Sequence, residues 1–127
     1  MIRVKIEKLT TGSGDWSDIV NNFGMLSNEF TERLVVLNIN ENTAETKYCE
    51  FRICVKIPAE PFIGIIGTAP VEGYYRMIPP QKFGGNMDNR FLKEDSVLYL
   101  PVNVRGALVS FADPDAARGE EKFVGRQ

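Results

Sequence analysis

Histidine is absent from the 127 residues. That absence excludes Ser-His-Asp and Cys-His triads, histidine-ligated zinc and an imidazole pH switch, so any catalysis must rest on carboxylates, Lys, Tyr, Ser or Cys. Basic runs are also missing: 15 Lys and Arg stand against 17 Asp and Glu, a net charge of −2. Without clustered cations there is no groove to neutralise phosphates, and no nucleic-acid partner is expected. No apolar run reaches the length of a membrane span, and the alternating start Met1-Ile2-Arg3-Val4-Lys5-Ile6-Glu7 does not resemble a signal peptide. No membrane partner is therefore expected, and a cytoplasmic location is. Cysteine is scarce, with Cys49 and Cys54 five residues apart in a segment that reads as one strand. On one strand that spacing puts them on opposite faces, which predicts two unbridged, reduced thiols.

What is present is a 43% hydrophobic composition with 8 Phe, 4 Tyr and 1 Trp, enough for one folded core. No repeat, low-complexity tract or linker divides the chain, so residues 1–127 are expected to form a single domain. Ile2 to Glu7 alternates with period two, and Leu34 to Ile39 is apolar and β-branched. Thr46 to Ile57 alternates again beyond the turn residues Asn40-Glu41-Asn42, which predicts a hairpin with Leu34 to Ile39. Phe62 to Gly67 is continuously apolar with two glycines, the pattern of a buried strand that another chain segment approaches closely. Ser96 to Val102 and Ala107 to Phe111 supply two more strands, while Asn21 to Phe30 allows at most a short helical turn. Tyr74 to Asn89 reads as a long irregular loop, and the charged tail from Asp113 as one helical turn from Pro114 or a frayed end. The fold class is mainly antiparallel β, a small sandwich or partly open barrel with little helix.

Two clusters could carry chemistry. Gly84-Gly85-Asn86-Met87-Asp88-Asn89-Arg90 reads either as a tight turn closed by an Asx hydrogen bond, or as a site in which Asp88 is a metal ligand or base held by Asn86 and Arg90. Ala112 to Lys122 gathers Asp113, Asp115, Glu120 and Glu121 with Arg118 and Lys122. It reads either as a solvated charge run or as side chains presented from a strand end. No P-loop, G-x-G-x-x-G, G-x-S-x-G or C-x-x-C pattern occurs.

In combination, Pro61 to Pro70, Pro79-Pro80, Phe83 to Asp88, Leu98 to Val102 and Gly106-Ala107-Leu108 resemble the central part of the acetamidase/formamidase family. Trp16 to Phe30 is similar to the stretch that precedes this core. Family members are more than twice as long, and the flanking portions have no counterpart here. The resemblance implies hydrolysis of small amides such as formamide or acetamide to acid and ammonia, with a bound divalent metal, zinc or calcium, that polarises the carbonyl and activates water. Asp88 matches the Asp that ends the family's G-G-N-M-D motif, which implies a catalytic and metal-binding role. Gly84, Gly85, Asn86 and Arg90 orient its loop, and Asp113 and Asp115 are the next candidate ligands. After the last strand the family shows G-D-x-H-A-x-Q-G-x-G-E; here Asp115 replaces the His, Arg118 the Gln and Lys122 the final Glu. This departure implies an incomplete site and leaves open a non-catalytic binding or interaction module, or a folded remnant. Apolar faces that the flanking portions would cover imply a homo-oligomer, most simply a symmetric dimer, or a complementing polypeptide.

Overall fold

A computed structural model describes residues 1–22, 29, 31–40, 45–50, 53–76 and 78–117. Among these residues there is no helix, and nine strands form three antiparallel sheets. The strands are β1 (Ile2–Lys5), β2 (Gly14–Ile19), β3 (Arg33–Asn40), β4 (Glu45–Glu50), β5 (Ile53–Pro58), β6 (Phe62–Gly67), β7 (Gly84–Asn86), β8 (Val97–Leu100) and β9 (Ser110–Asp115). The mainly antiparallel β class is as expected, and the sheets, ordered β1-β8, β2-β3-β4-β5 and β7-β6-β9, do not close into a barrel.

The chain divides into two compact units, Met1–Thr10 with Glu60–Arg118, and Thr11–Ala59 with Gly119–Gln127. The first unit holds the β1-β8 and β7-β6-β9 sheets. In β1 and β8 the pairs Ile2↔Leu100 and Val4↔Leu98 alternate with Arg3↔Tyr99 and Lys5↔Val97. Period two thus turns one face toward the core and the other toward solvent. Ile6, just past β1, is buried and donates its N–H to Ser96 O at 3.0 Å. Ile6, Ile63, Ile66, Leu92 and Leu100 form the buried cluster, with Ile2, Val4, Leu9, Met87, Leu98 and Val109 packed on it. β6 is buried on both faces, and Phe62 is wholly inaccessible. Its continuous apolar run is what a strand hydrogen-bonded on both edges and covered on both faces requires. Burying Phe62 stabilises by about 1.5–3 kcal/mol. The buried hydroxyl of Thr68, just beyond β6, donates to Pro101 O at 2.8 Å, so it is not left unsatisfied.

The second unit carries the four-stranded sheet. Strand β2 is not among the strands expected from the sequence; its pairs run from Gly14↔Asn38 to Ile19↔Arg33. A strand of mostly polar residues is permitted there because Trp16, Asp18, Leu34 and Val36 all lie on the exposed side.

Several expectations are corrected. Thr46 to Ile57 is not one strand: β4 and β5 pair antiparallel from Glu45↔Pro58 to Glu50↔Ile53. The cysteine expectation fails with it. Cys54 is disulfide-bonded, and its partner in the ladder is Cys49, the other cysteine of the chain. An odd spacing separates two residues on one strand but pairs them across a hairpin, where opposed positions are always an odd number apart when the loop has two residues. Tyr74 to Asn89 is less irregular than expected, since it contains β7 and the reciprocal Gln81 and Gly84 backbone bonds, 2.7 and 3.0 Å. The last strand begins at Ser110 rather than Ala107, because Ala107 and Leu108 have φ of 56° and 51° and cannot extend a ladder. It runs on to Asp115, so Pro114 lies in an edge strand and starts no helical turn. The expected turn at 40–42, the expected helical turn after Asn21, and Arg118 to Lys122 lie largely or wholly outside the described residues. No helix among the described residues is long and apolar enough to cross a membrane.

Candidate metal centre

The site is built on the β7-β6-β9 sheet. Gly84 and Gly85 adopt φ of 102° and 131°, a conformation that side chains resist, and both are buried. A Cβ on Gly84 would collide with Ile66 O, and one on Gly67 would lie 2.9 Å from Phe83 O. These glycines let β7 lie close against β6, in the pairing Ile65↔Asn86, Ile66↔Gly85 and Gly67↔Gly84.

Beyond β7 the chain turns at Asp88. The N–H groups of Met87 and Asp88 both donate to Gly64 O at 3.0 Å, and Asp88 has a φ of 45°. The Asx hydrogen bond expected within Gly84 to Arg90 falls at Asn89, whose Oδ1 accepts from Phe91 N at 2.9 Å, and Leu92 N donates to Asn89 O at 2.8 Å. That turn delivers Leu92 to the core, which fixes the backbone on the far side of Asp88.

On the opposite edge of β6, β9 pairs Ile63↔Pro114 and Ile65↔Ala112, with no paired position between them. The interruption faces Gly64 with Asp113, whose φ is 53°. Asp115 follows two residues on, opposite Phe62. One carboxylate oxygen from each of Asp88, Asp113 and Asp115 lies within 4.8 Å of the others. Asp88 is the most deeply set, Asp115 is partly buried and Asp113 is exposed.

The middle of this cluster is kept open by Gly64. A Cβ at that residue would stand 2.6 Å from Asp113 O, 2.9 Å from Asp88 Oδ1 and 3.0 Å from Asp115 Oδ2. Three oxygens from three residues thus converge on a volume that only glycine leaves clear. This arrangement can hold a metal ion.

Asp88 and the sequence-distant pair Asp113 and Asp115 are therefore brought together. Asn86 is partly buried at the end of β7, and Arg90 is partly buried with its guanidinium 5.6 Å from the centroid of the Phe91 ring. Gly64 is the residue the sequence did not single out, although a glycine inside an apolar strand signals that something approaches closely. Elsewhere in the same unit a cleft of about 400 Å³ opens among Thr68, Tyr74, Tyr75, Phe83 and Leu108, with Tyr75 set edge-on to Phe83 at 5.2 Å. Its sheet-borne walls, Gly67, Gly85 and Ser110, each lie three residues from Gly64, Asp88 and Asp113, roughly 10 Å along the strands.

Residues 71–125 match the model of the Acetamidase/Formamidase family. Among solved structures the chain is similar to an acetamidase from Bacillus halodurans, with 28% identity and a TM-score of 0.83 over 92% of this chain and 38% of that one. It is also similar to a predicted acetamidase/formamidase from Thermoanaerobacter tengcongensis, with 31% identity and a TM-score of 0.82 over the same shares of the two chains. A Yersinia enterocolitica acetamidase shares the fold at 21% identity, with a TM-score of 0.76 over 98% of this chain and 39% of that one. No curated protein matches. The chain thus spans under two fifths of the length of the structures it resembles.

Proposed function

We propose, from this likeness to the acetamidase/formamidase family, that the chain carries the metal-binding portion of an amide-hydrolysing assembly. The substrate class is a short linear amide, formamide or acetamide, which gains water across its C–N bond to yield the carboxylic acid and ammonia. The observation that carries the proposal is the convergence of Asp88, Asp113 and Asp115 around Gly64.

Asp88 and Asp115 are the inner holding groups, and Asp113, on the exposed edge of β9, is the carboxylate that solvent reaches. A divalent cation in this position, zinc or calcium, supplies polarisation of the amide carbonyl and activation of water. The donor set is all oxygen, with Asp115 where the family has His, which favours calcium over zinc. Within these 127 residues, which hold no histidine, Asp113 is the solvent-exposed carboxylate of the cluster and the group best placed to take a proton from water. The N–H groups of Met87 and Asp88, both donated to Gly64 O, hold the backbone that carries the Asp88 side chain.

A second reading, a non-catalytic oligomeric binding module, is favoured by the exposed apolar surface. In the first unit Val71, Leu108 and Phe111 are all more than 60% exposed, and the lining of the aromatic cleft includes none of the three carboxylates. Either reading has the working unit include more polypeptide than these 127 residues, a second copy or a complementing chain. A calcium or zinc titration followed by an ammonia-release assay on formamide separates the two. Metal-dependent ammonia release supports the amidase; metal binding with no release, together with a solution mass above 14.3 kDa, supports the module.

A further inference from the structure

We propose that the bridge between Cys49 and Cys54 is an exchange site for a small anionic thiol, and that opening it releases the outer part of the β4-β5 hairpin from its pairing.

Strand β4 pairs with β3 only at Ile39↔Thr46 and Asn40↔Glu45, and β5 is the last strand of its sheet. Among the described residues, Lys47 to Glu50 and Ile53 to Lys56 therefore pair only with each other. A two-stranded ribbon of this kind is marginal in water unless something ties it. Its own register works against it, because Lys47 stands opposite Lys56 and like charges directly opposed on a ladder destabilise it. The tie is the disulfide: Cys54 is bridged, Cys49 is its ladder partner, and the chain has no other cysteine. In a hairpin with a two-residue loop, Glu50↔Ile53 is the hydrogen-bonded pair and Cys49↔Cys54 the next, non-hydrogen-bonded one. Such pairs bring the Cα atoms to roughly 4.5 Å, within the roughly 4.4–6.8 Å that a disulfide spans.

The same bridge is open to chemistry. Cys54, Lys56 and Pro58 share one face of β5 by its period of two, and all three are exposed. A thiolate from solution attacks Cys54 Sγ, the S–S bond breaks, and Cys49 leaves as a thiolate that takes a proton from water. A second thiolate attacks the outer sulfur of the mixed disulfide, and Cys54 leaves in turn and is protonated. Two small thiols become one disulfide, and the bridge gains two electrons and two protons. Lys56 beside Cys54, with Lys47 as its ladder partner, favours the approach of an anionic thiol and the departure of a thiolate. Little opposes the exchange, since the bridge encloses only Glu50 to Ile53 and so restricts little of the unfolded chain.

The test treats the full chain first with oxidised and then with excess reduced glutathione, with thiols counted by alkylation and mass spectrometry and hydrogen exchange followed in both states. Oxidised protein is expected to have no alkylatable thiol, and reduced glutathione to open the bridge through a mixed disulfide. On opening, the amides of residues 47–50 and 53–56 are expected to lose about tenfold or more in protection, while those of β2 and β3 keep theirs. Lys56→Gln is expected to slow opening by glutathione about twofold or more and to leave opening by cysteamine, a cationic thiol, no slower. Thiols that stay free in oxidised glutathione, or a bridge that stays closed in excess reduced glutathione, would overturn the exchange site. Reduction with unchanged protection of the hairpin would overturn its release. Equal slowing with both thiols would overturn the preference for an anionic one.

Discussion

Asp88→Asn keeps the shape of the side chain and removes one charge from the cluster. In the wild type a carboxylate oxygen of Asp88 lies within 4.8 Å of one from Asp115. At an effective dielectric constant near 20, two unit charges at that distance repel by about 3.5 kcal/mol. Solvent reaches this edge of the sheet through Asp113, and screening brings the net cost to about 1 kcal/mol. The substitution should therefore raise the melting temperature of the metal-free protein, measured in chelator, by about 4 °C or more. Added calcium reverses the order. It binds the native wild type, raises its melting temperature with concentration by mass action, and leaves Asp88→Asn nearly unmoved. Differential scanning fluorimetry across a calcium series reads both effects in one experiment. If Asp88→Asn melts lower than wild type in chelator and both proteins gain equally from calcium, Asp88 is a turn residue and the electrostatic reasoning is refuted.

Three further outcomes are expected. Ile66→Ala, which empties one of the most buried positions of the core, should cost about 2–5 kcal/mol in urea unfolding, with no change in calcium affinity once the protein is folded. Asp113→Asn should weaken calcium binding less than Asp88→Asn does, because Asp113 is the exposed member of the cluster and solvent screens its charge most; titration calorimetry on the two variants checks the order. Cys54→Ser should destabilise the protein by about 2 kcal/mol, since the bridge closes only a short hairpin loop, and reductant should lower wild-type stability toward that of the variant.

The legible parts of the fold were those with one dominant period. Ile2 to Glu7 reads as a strand because burial of one face enforces alternation, Leu34 to Ile39 because it is apolar and β-branched, and Phe62 to Gly67 because burial of both faces removes alternation. Hairpins defeated the same rule. Alternation continues across a two-residue turn, so β4 and β5 looked like one strand and the cysteines looked opposed rather than paired. β2 was missed because its polar residues carry no apolar stripe, and the start of β9 was misplaced because nothing in Ala107-Leu108 announces a positive φ. At the site, Asp88, Asp113 and Asp115 were each legible as candidates from glycine, carboxylate and motif. Their meeting was not, because it depends on β7 and β9 flanking β6 in register, a long-range pairing that no local pattern encodes.

The central claim, that these three carboxylates around Gly64 hold a cation, is tested most directly by anomalous diffraction from crystals of the full chain grown with manganese as a calcium substitute. The account predicts a single strong peak within coordinating distance of one carboxylate oxygen from each of Asp88, Asp113 and Asp115. A map with no peak there, or with manganese only on exposed carboxylates elsewhere, would contradict it.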